Sequence, residues 1–170
     1  MRKITAAGDV TTIAGSAGLQ GADDGSGVTA RFDYPTATAT ALTGELFVAE
    51  DDNDAIRKLS ASAEVTTLAG AACVPGALDG TGITARSGLP YGMGIDSAGN
   101  LLVADMTNHA IRRVTPADEV TTVVGAFGKF GVLLGALPAS LSSRLDVAIR
   151  SDGELLIVTA NGVVVTQGFQ

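Results

Sequence analysis

Val65-Thr66-Thr67-Leu68-Ala69-Gly70 is one phrase of three: Val10-Thr11-Thr12-Ile13-Ala14-Gly15 precedes it and Val120-Thr121-Thr122-Val123-Val124-Gly125 follows it, at a constant interval of 55 residues. The basic pairs Arg2-Lys3, Arg57-Lys58 and Arg112-Arg113 keep that interval, as do Pro35 and Pro90. A fixed period of this size marks a structural unit stacked on copies of itself, as in a solenoid, a propeller or an array. A β-sandwich is the plainer home for many short strands, but it has no reason to repeat at constant spacing.

Working outward from the phrase, one unit reads as four strands. The run Thr36–Leu42 is small and β-competent, and it returns as Met93–Asp96 and Val147–Ile149. A glycine turn joins each to the most hydrophobic strand, Glu45–Ala49, Asn100–Ala104 and Glu154–Val158, which is a hairpin signal. Ala55–Leu59 and Ala110–Val114 form the third strand, and the Val-Thr-Thr phrase forms the fourth. Four antiparallel strands with short turns and a longer loop to the next unit describe a propeller blade, with the small first strand innermost.

Composition agrees. The 22 glycines accompany many Val, Thr and Ala, and no helical i, i+3, i+4, i+7 stripe is present. Mean hydropathy is high at +0.33, yet no apolar run approaches the roughly 18–20 residues of a membrane-spanning helix. A net charge of −7 disfavours a phosphate backbone as partner. The one cysteine, Cys73, cannot form an internal disulfide and leaves the compartment open. Met1–Thr5 already reads as repeat sequence, with no signal peptide ahead of it, which predicts a cytosolic chain or an excerpt from something longer.

Leu101-Leu102-Val103-Ala104-Asp105-Met106-Thr107-Asn108-His109-Ala110-Ile111-Arg112-Arg113-Val114 resembles the core signature of an NHL repeat: apolar-Tyr-Val-Ala-Asp, two residues, Asn-His, one residue, Ile-Arg-Lys. Asp79-Gly80-Thr81-Gly82, Ala85-Arg86 and Leu89-Pro90-Tyr91-Gly92 resemble the inter-blade loop of one branch of that family. The first unit departs from the signature with Glu50-Asp51-Asp52-Asn53-Asp54. The third ends Thr159-Ala160-Asn161-Gly162-Val163, shorter and without the Asp, His or Arg, and its leading loop Gly135–Leu141 resembles another variant. The resemblance implies an all-β propeller, usually of six blades, that serves as a binding platform. Some related propellers are lyases or hydrolases with a metal in the central channel, and some bind RNA through a basic face.

Counted by strands, residues 1–170 form a single propeller segment of about three four-stranded blades, half of a usual ring, with partial blades at both ends. The sequence therefore predicts a fragment, or a protomer completed by further blades or by a homodimer. A compact monomer would instead pair Val163–Thr166 with Arg2–Thr5 or Val10–Ile13.

The chemistry-bearing residues have local readings. His109 has no second His for a zinc site, so turn packing is expected. Asp105 and Asn108 bracket a turn that Asx side chains cap. Glu50, Asp51, Asp52 and Asp54 lack the spacing of a calcium loop and read as a solvated charged turn. Asp24 and Arg31, and likewise Asp79 and Arg86, keep the same separation and are both missing from the third unit, which predicts an ion pair within each loop. The basic pairs of the third strands are expected to cover apolar surface while their heads meet acids. In the channel, Asp96 is the charged candidate, opposite Thr40 and Arg150, a poor line-up for a metal. No catalytic set, metal or cofactor is expected. The sequence thus predicts a non-enzymatic interaction scaffold holding a protein or small ligand on a rim, at Glu50, Asp51, Asp52, Asp54, Asp105, Asn108 and His109. The alternatives are a piece of a metal-dependent lyase or hydrolase whose catalytic residues lie in other blades, and an RNA-binding platform.

Overall fold

The computed structural model describes residues 1–128, 141, 146–160 and 162–166. Of the predicted leading loop of the third unit, Gly135–Leu141, all but the buried Leu141 lies outside these residues. Two complete blades are flanked by partial ones. The first blade runs β4 (Pro35–Thr40), β5 (Leu46–Glu50), β6 (Ala55–Leu59) and β7 (Glu64–Gly70). The second runs β9 (Pro90–Ile95), β10 (Leu101–Asp105), β11 (Ala110–Val114) and β12 (Glu119–Val124). Ahead of them stands an outer pair, β1 (Arg2–Ile4) with β2 (Val10–Thr12), and after them an inner trio, β13 (Asp146–Ile149), β14 (Leu155–Thr159) and β15 (Gly162–Val165). Among the described residues the helical segments are two single 3-10 turns, Gly27–Thr29 and Gly82–Thr84.

The repetition extends to hydrogen bonds. Each first hairpin closes alike: Gly44 N–H donates to Ala41, Gly99 to Asp96 and Gly153 to Arg150. These glycines have φ between 85° and 91°, a left-handed geometry that favours glycine. The ladder between third and fourth strands shifts register at the same place in both complete blades, after Ile56 and after Ile111. There Gly70 and Gly125, again at positive φ, let the chain pass against the backbone of Asp54 and His109, where a Cβ would collide with a carbonyl.

One element was not read from the sequence. Before each complete blade the loop adds a short fifth strand to the outer edge, β3 (Gly25–Ser26) on β7 and β8 (Gly80–Thr81) on β12. The loop then turns back along the blade toward the innermost strand. The second strands also sit one residue later than expected in all three blades, because Glu50, Asp105 and Thr159 pair with the first residue of the third strand.

Three apolar layers fill the gaps between blades. Phe47, Ile56, Met93, Leu101 and Val114 join the first to the second. Leu102, Ile111, Leu141, Leu155 and Ile157 join the second to the third. Ala14, Leu59 and Val65 seat the β1–β2 pair on the first blade. The innermost strands stand side by side, as expected. Gly92 passes so close to Asp146 that a side chain there would collide with it. Among the described residues the compact closure does not form: β15 pairs with β14 alone and β1 with β2 alone. The reason lies in strand count, since β1 and β15 are both third strands and compete for one place rather than complementing each other.

Candidate functional site

The most buried polar groups belong to the architecture. Arg57 and Arg112 are 1% exposed, and Glu50 and Asp105 are fully buried. Arg57 Nη1 donates to Glu50 Oε2 (2.9 Å) and to the carbonyl of Arg31 (2.9 Å), and Nη2 donates to Asp24 Oδ1 (2.8 Å) and the carbonyl of Asp23 (3.0 Å). Arg112 repeats this with Asp105, Asp79 and the carbonyls of Arg86 and Leu78, at 2.8–3.1 Å. Each guanidinium also lies over a ring, Phe32 at 5.6 Å and Phe127 at 5.4 Å. An asparagine completes each set: Asn53 donates to Glu50 and to the carbonyl of Gly21, Asn108 to Asp105 and to that of Gly76. Strand, turn and inter-blade loop are thereby fastened at one point per blade.

These contacts correct the predicted loop pairs. Asp24 binds Arg57 and Thr67, and Asp79 binds Arg112 and Thr122. Arg31 instead turns onto the carbonyls of Val28, Thr29 and Ala30, and Arg86 onto those of Ile83 and Ala85. A buried guanidinium needs counter-charge more than a surface one does, so the loop acids go to the strand arginines. The third unit lacks both the acid and the arginine, with Thr159 at the acid's position and Val164 at the arginine's.

The predicted rim residues mostly face inward. Glu50, Asp105 and Asn108 belong to the framework. Burial pushes the carboxyls of Glu50 and Asp105 above the usual range against the opposing pull of their hydrogen bonds. Asp54 and His109 occupy the same corner of successive blades at φ 50° and 53°, and both are 6% exposed. Asp54 accepts the N–H of Leu89 (3.1 Å), and burial raises its carboxyl. Asp51 is half-buried and raised by burial and by its neighbours Asp52 and Asp54, which leaves Asp52 exposed. Among the described residues no three His, Cys, Asp or Glu side chains are grouped for a metal ion. Asp96 is committed to its own hairpin, accepting from Ala98 N–H, Asn100 N–H and Asn100 Nδ2 at 2.8–2.9 Å.

The concave feature lies at the opposite ends of the strands. A cleft of about 700 Å³ opens between the hairpin tips of the first and second blades and reaches the tip of the third. Phe47, Leu68, Leu101 and Val114 form its floor. Its charged rim is Lys58, which is bound to Glu45 at 2.5 Å, together with Asp96, Asp118 and Arg150. Leu42 at the mouth is fully exposed. Sequence reasoning missed this cleft because its lining comes from turns and strand ends far apart in the chain.

No established family profile matches the chain. Over 142 residues, 76% of this chain, it is 31% identical to NHL repeat-containing protein 2 of Bos taurus, of which it spans 20%. The chain belongs to the NHL-repeat β-propellers. Its fold is similar to that of a Bacteroides thetaiotaomicron protein of unknown function (TM-score 0.76, 20% identity, 96% of this chain and 40% of that one). It is also similar to an auxiliary nutrient-binding protein from Bacteroides ovatus (TM-score 0.67, 16% identity, 83% and 39%). A third likeness is to virginiamycin B lyase from Staphylococcus aureus (TM-score 0.58, 15% identity, 97% and 46%). The chain thus spans a fifth of its curated relative and less than half of these structures, which include both a binding protein and an enzyme. Within the NHL signature the Asp, Asn and first Arg correspond to Asp105, Asn108 and Arg112, the framework set. Among the described residues no helix is long and apolar enough to cross a membrane.

Proposed function

We propose that this NHL chain is a non-enzymatic binding scaffold, with its ligand seated in the hairpin-tip cleft rather than on the turns at residues 50–54 and 105–109. The cleft carries the reading: a concave apolar floor with a few charged groups at its rim is the usual form of a small-molecule site. The ligand class that suits it is small and mostly apolar with one polar or charged end. The buried carboxylates support binding over chemistry. Both oxygens of Glu50 and of Asp105 are held by donors from the arginine, the asparagine and a backbone N–H, so neither is placed to move a proton to a ligand. An RNA platform draws little support, because Arg57 and Arg112 are buried against acids. The test is a thermal-shift screen of small amphipathic acids, amines and amides, repeated on Ala98→Trp. Ala98 is exposed at the cleft, and its backbone role in the turn does not depend on its side chain. Hits that stabilise the parent and lose their effect in the variant support the site. Hits indifferent to Ala98→Trp, or a screen without hits, contradict it.

A further inference from the structure

The charges at the mouth of the hairpin-tip cleft do not balance. Its lining holds two basic groups, Lys58 and Arg150, and three acidic ones, Glu45, Asp96 and Asp118. Both basic groups are already taken. Lys58 is paired with Glu45, and Arg150 with Asp152 (3.2 Å) and Glu154 (2.7 Å). Asp96 accepts from neutral amide groups alone, so no cation offsets its charge. The half-exposed Asp118 carboxylate makes no hydrogen bond and no ion pair among the described residues.

The local backbone does not account for that carboxylate. Asp118 sits at φ 62° in the turn between β11 and β12, where the first blade has Ala63 at φ 64°. The two turns close alike. The N–H of Ala63 donates to the carbonyl of Ser60 (3.0 Å) and that of Asp118 to Thr115 (2.9 Å), while their own carbonyls accept from Gly27 and Gly82 at 2.8 Å each. Alanine therefore serves this turn, and the second blade carries an acid where the turn lines the cleft.

An anionic ligand would have to displace Glu45 from Lys58, or Asp152 and Glu154 from Arg150, so it would exchange one ion pair for another. It would also approach five carboxylates, those of Glu45, Asp96, Asp118, Asp152 and Glu154. A cation meets Asp118 without breaking any existing contact, and the same five acids attract it. The apolar floor of Phe47, Leu68, Leu101 and Val114 is left for the uncharged body of the ligand. Water excluded over that floor strengthens an ion pair at its margin relative to one on open surface.

We propose that the cleft selects a small organic cation, with an aromatic or aliphatic body on the floor and a protonated amine held by Asp118. This rests on the cleft being the ligand site.

The probes are phenylbutylamine, phenylbutanol and phenylbutyrate, one body with a cationic, a neutral and an anionic end. Each is titrated onto the full chain at neutral pH, in roughly 0.01 M and 1 M salt, with the methyl chemical shifts of Leu68, Leu101 and Val114 as readout. In low salt the amine should bind about three- to tenfold more tightly than the alcohol, and the acid more weakly than either. The spread should narrow in high salt. Asp118→Asn and Asp118→Ala, the second copying Ala63, should each bring the amine to within about twofold of the alcohol and leave the alcohol's affinity unchanged. Equal affinities of the three probes, a preference for the acid, or an amine preference that survives both substitutions overturns the inference and leaves the cleft as the ligand site. Cleft methyls that respond to none of the probes overturn both.

Discussion

Replacing Arg112 with Val, the residue its position carries in the third blade, should be far more harmful alone than together with Asp105→Thr. Arg112 makes four hydrogen bonds through Nη1 and Nη2, two to carboxylates and two to backbone carbonyls. Without it Asp105, fully buried, loses its cation. Stranding one member of a buried ion pair costs about 3–5 kcal/mol. For a chain of this size that is a fall of roughly 6–20 °C in the unfolding midpoint. Asp105 would relieve part of the cost by taking a proton. Its carboxyl is already raised by burial, and losing Arg112 raises it further. A carboxyl raised on folding contributes its full stability below the ordinary carboxylate range and loses it as pH climbs through the raised value. The deficit of Arg112→Val should therefore be largest near neutral pH and shrink on acidification. The double variant places Thr and Val where the third blade has Thr159 and Val164, buries no charge at this corner and should lose the pH dependence that belongs to Asp105, leaving that of Glu50, Asp51 and Asp54. It still lacks the staple to Leu78 and Arg86, so recovery of about 1–3 kcal/mol over the single variant is expected, not full stability. Urea denaturation at several pH values reads all of this. A double variant no more stable than Arg112→Val, or a deficit independent of pH, would show that acid and arginine are not coupled.

Three further outcomes follow from the geometry. Gly70→Ala should cost about 2–4 kcal/mol, because its Cβ meets the Asp54 carbonyl at positive φ, whereas Gly8→Ala, also at positive φ but in open space, should cost about 1 kcal/mol or less in the same thermal melts. A double-mutant cycle between Asp24 and Arg57 should give a coupling of about 1 kcal/mol, held down by the half-exposed aspartate, while the Asp24–Arg31 cycle should give none within about 0.3 kcal/mol. Asp54→Asn should raise stability at pH 7 by no more than about 1 kcal/mol, since the amide oxygen still accepts from Leu89 without a buried charge; because burial raises Asp54, the gain should fade as pH drops through the carboxylate range.

Most of the fold is written in the chain as period and alternation. The Val-Thr-Thr phrase, the hairpin glycines and the alternating strands place blades, strands and their order because these features act over a few residues. The short fifth strands at Gly25–Ser26 and Gly80–Thr81 stayed hidden, since two residues in a glycine-rich loop carry no alternation. The loop acids were assigned to the wrong arginine for a related reason. Sequence spacing favours Asp24 with Arg31, but burial decides the pairing, and Arg57 is buried where Arg31 is not. The signal was present: Glu50, Asn53 and Arg57 recur as Asp105, Asn108 and Arg112, and the acid and the arginine are missing together from the third unit. The rim acids looked like ligand groups for lack of that connection. The cleft was beyond sequence reasoning altogether, because Phe47, Leu101 and Arg150 meet only through stacking of three blades.

Backbone and methyl chemical-shift mapping of the protein against hits from the small-molecule screen tests the central claim most directly. The account predicts perturbations gathered on Leu68, Leu101, Val114 and the turn at Ser97–Gly99, with the turns at residues 50–54 and 105–109 undisturbed. Perturbations centred on those turns, with the cleft methyls unmoved, would contradict it.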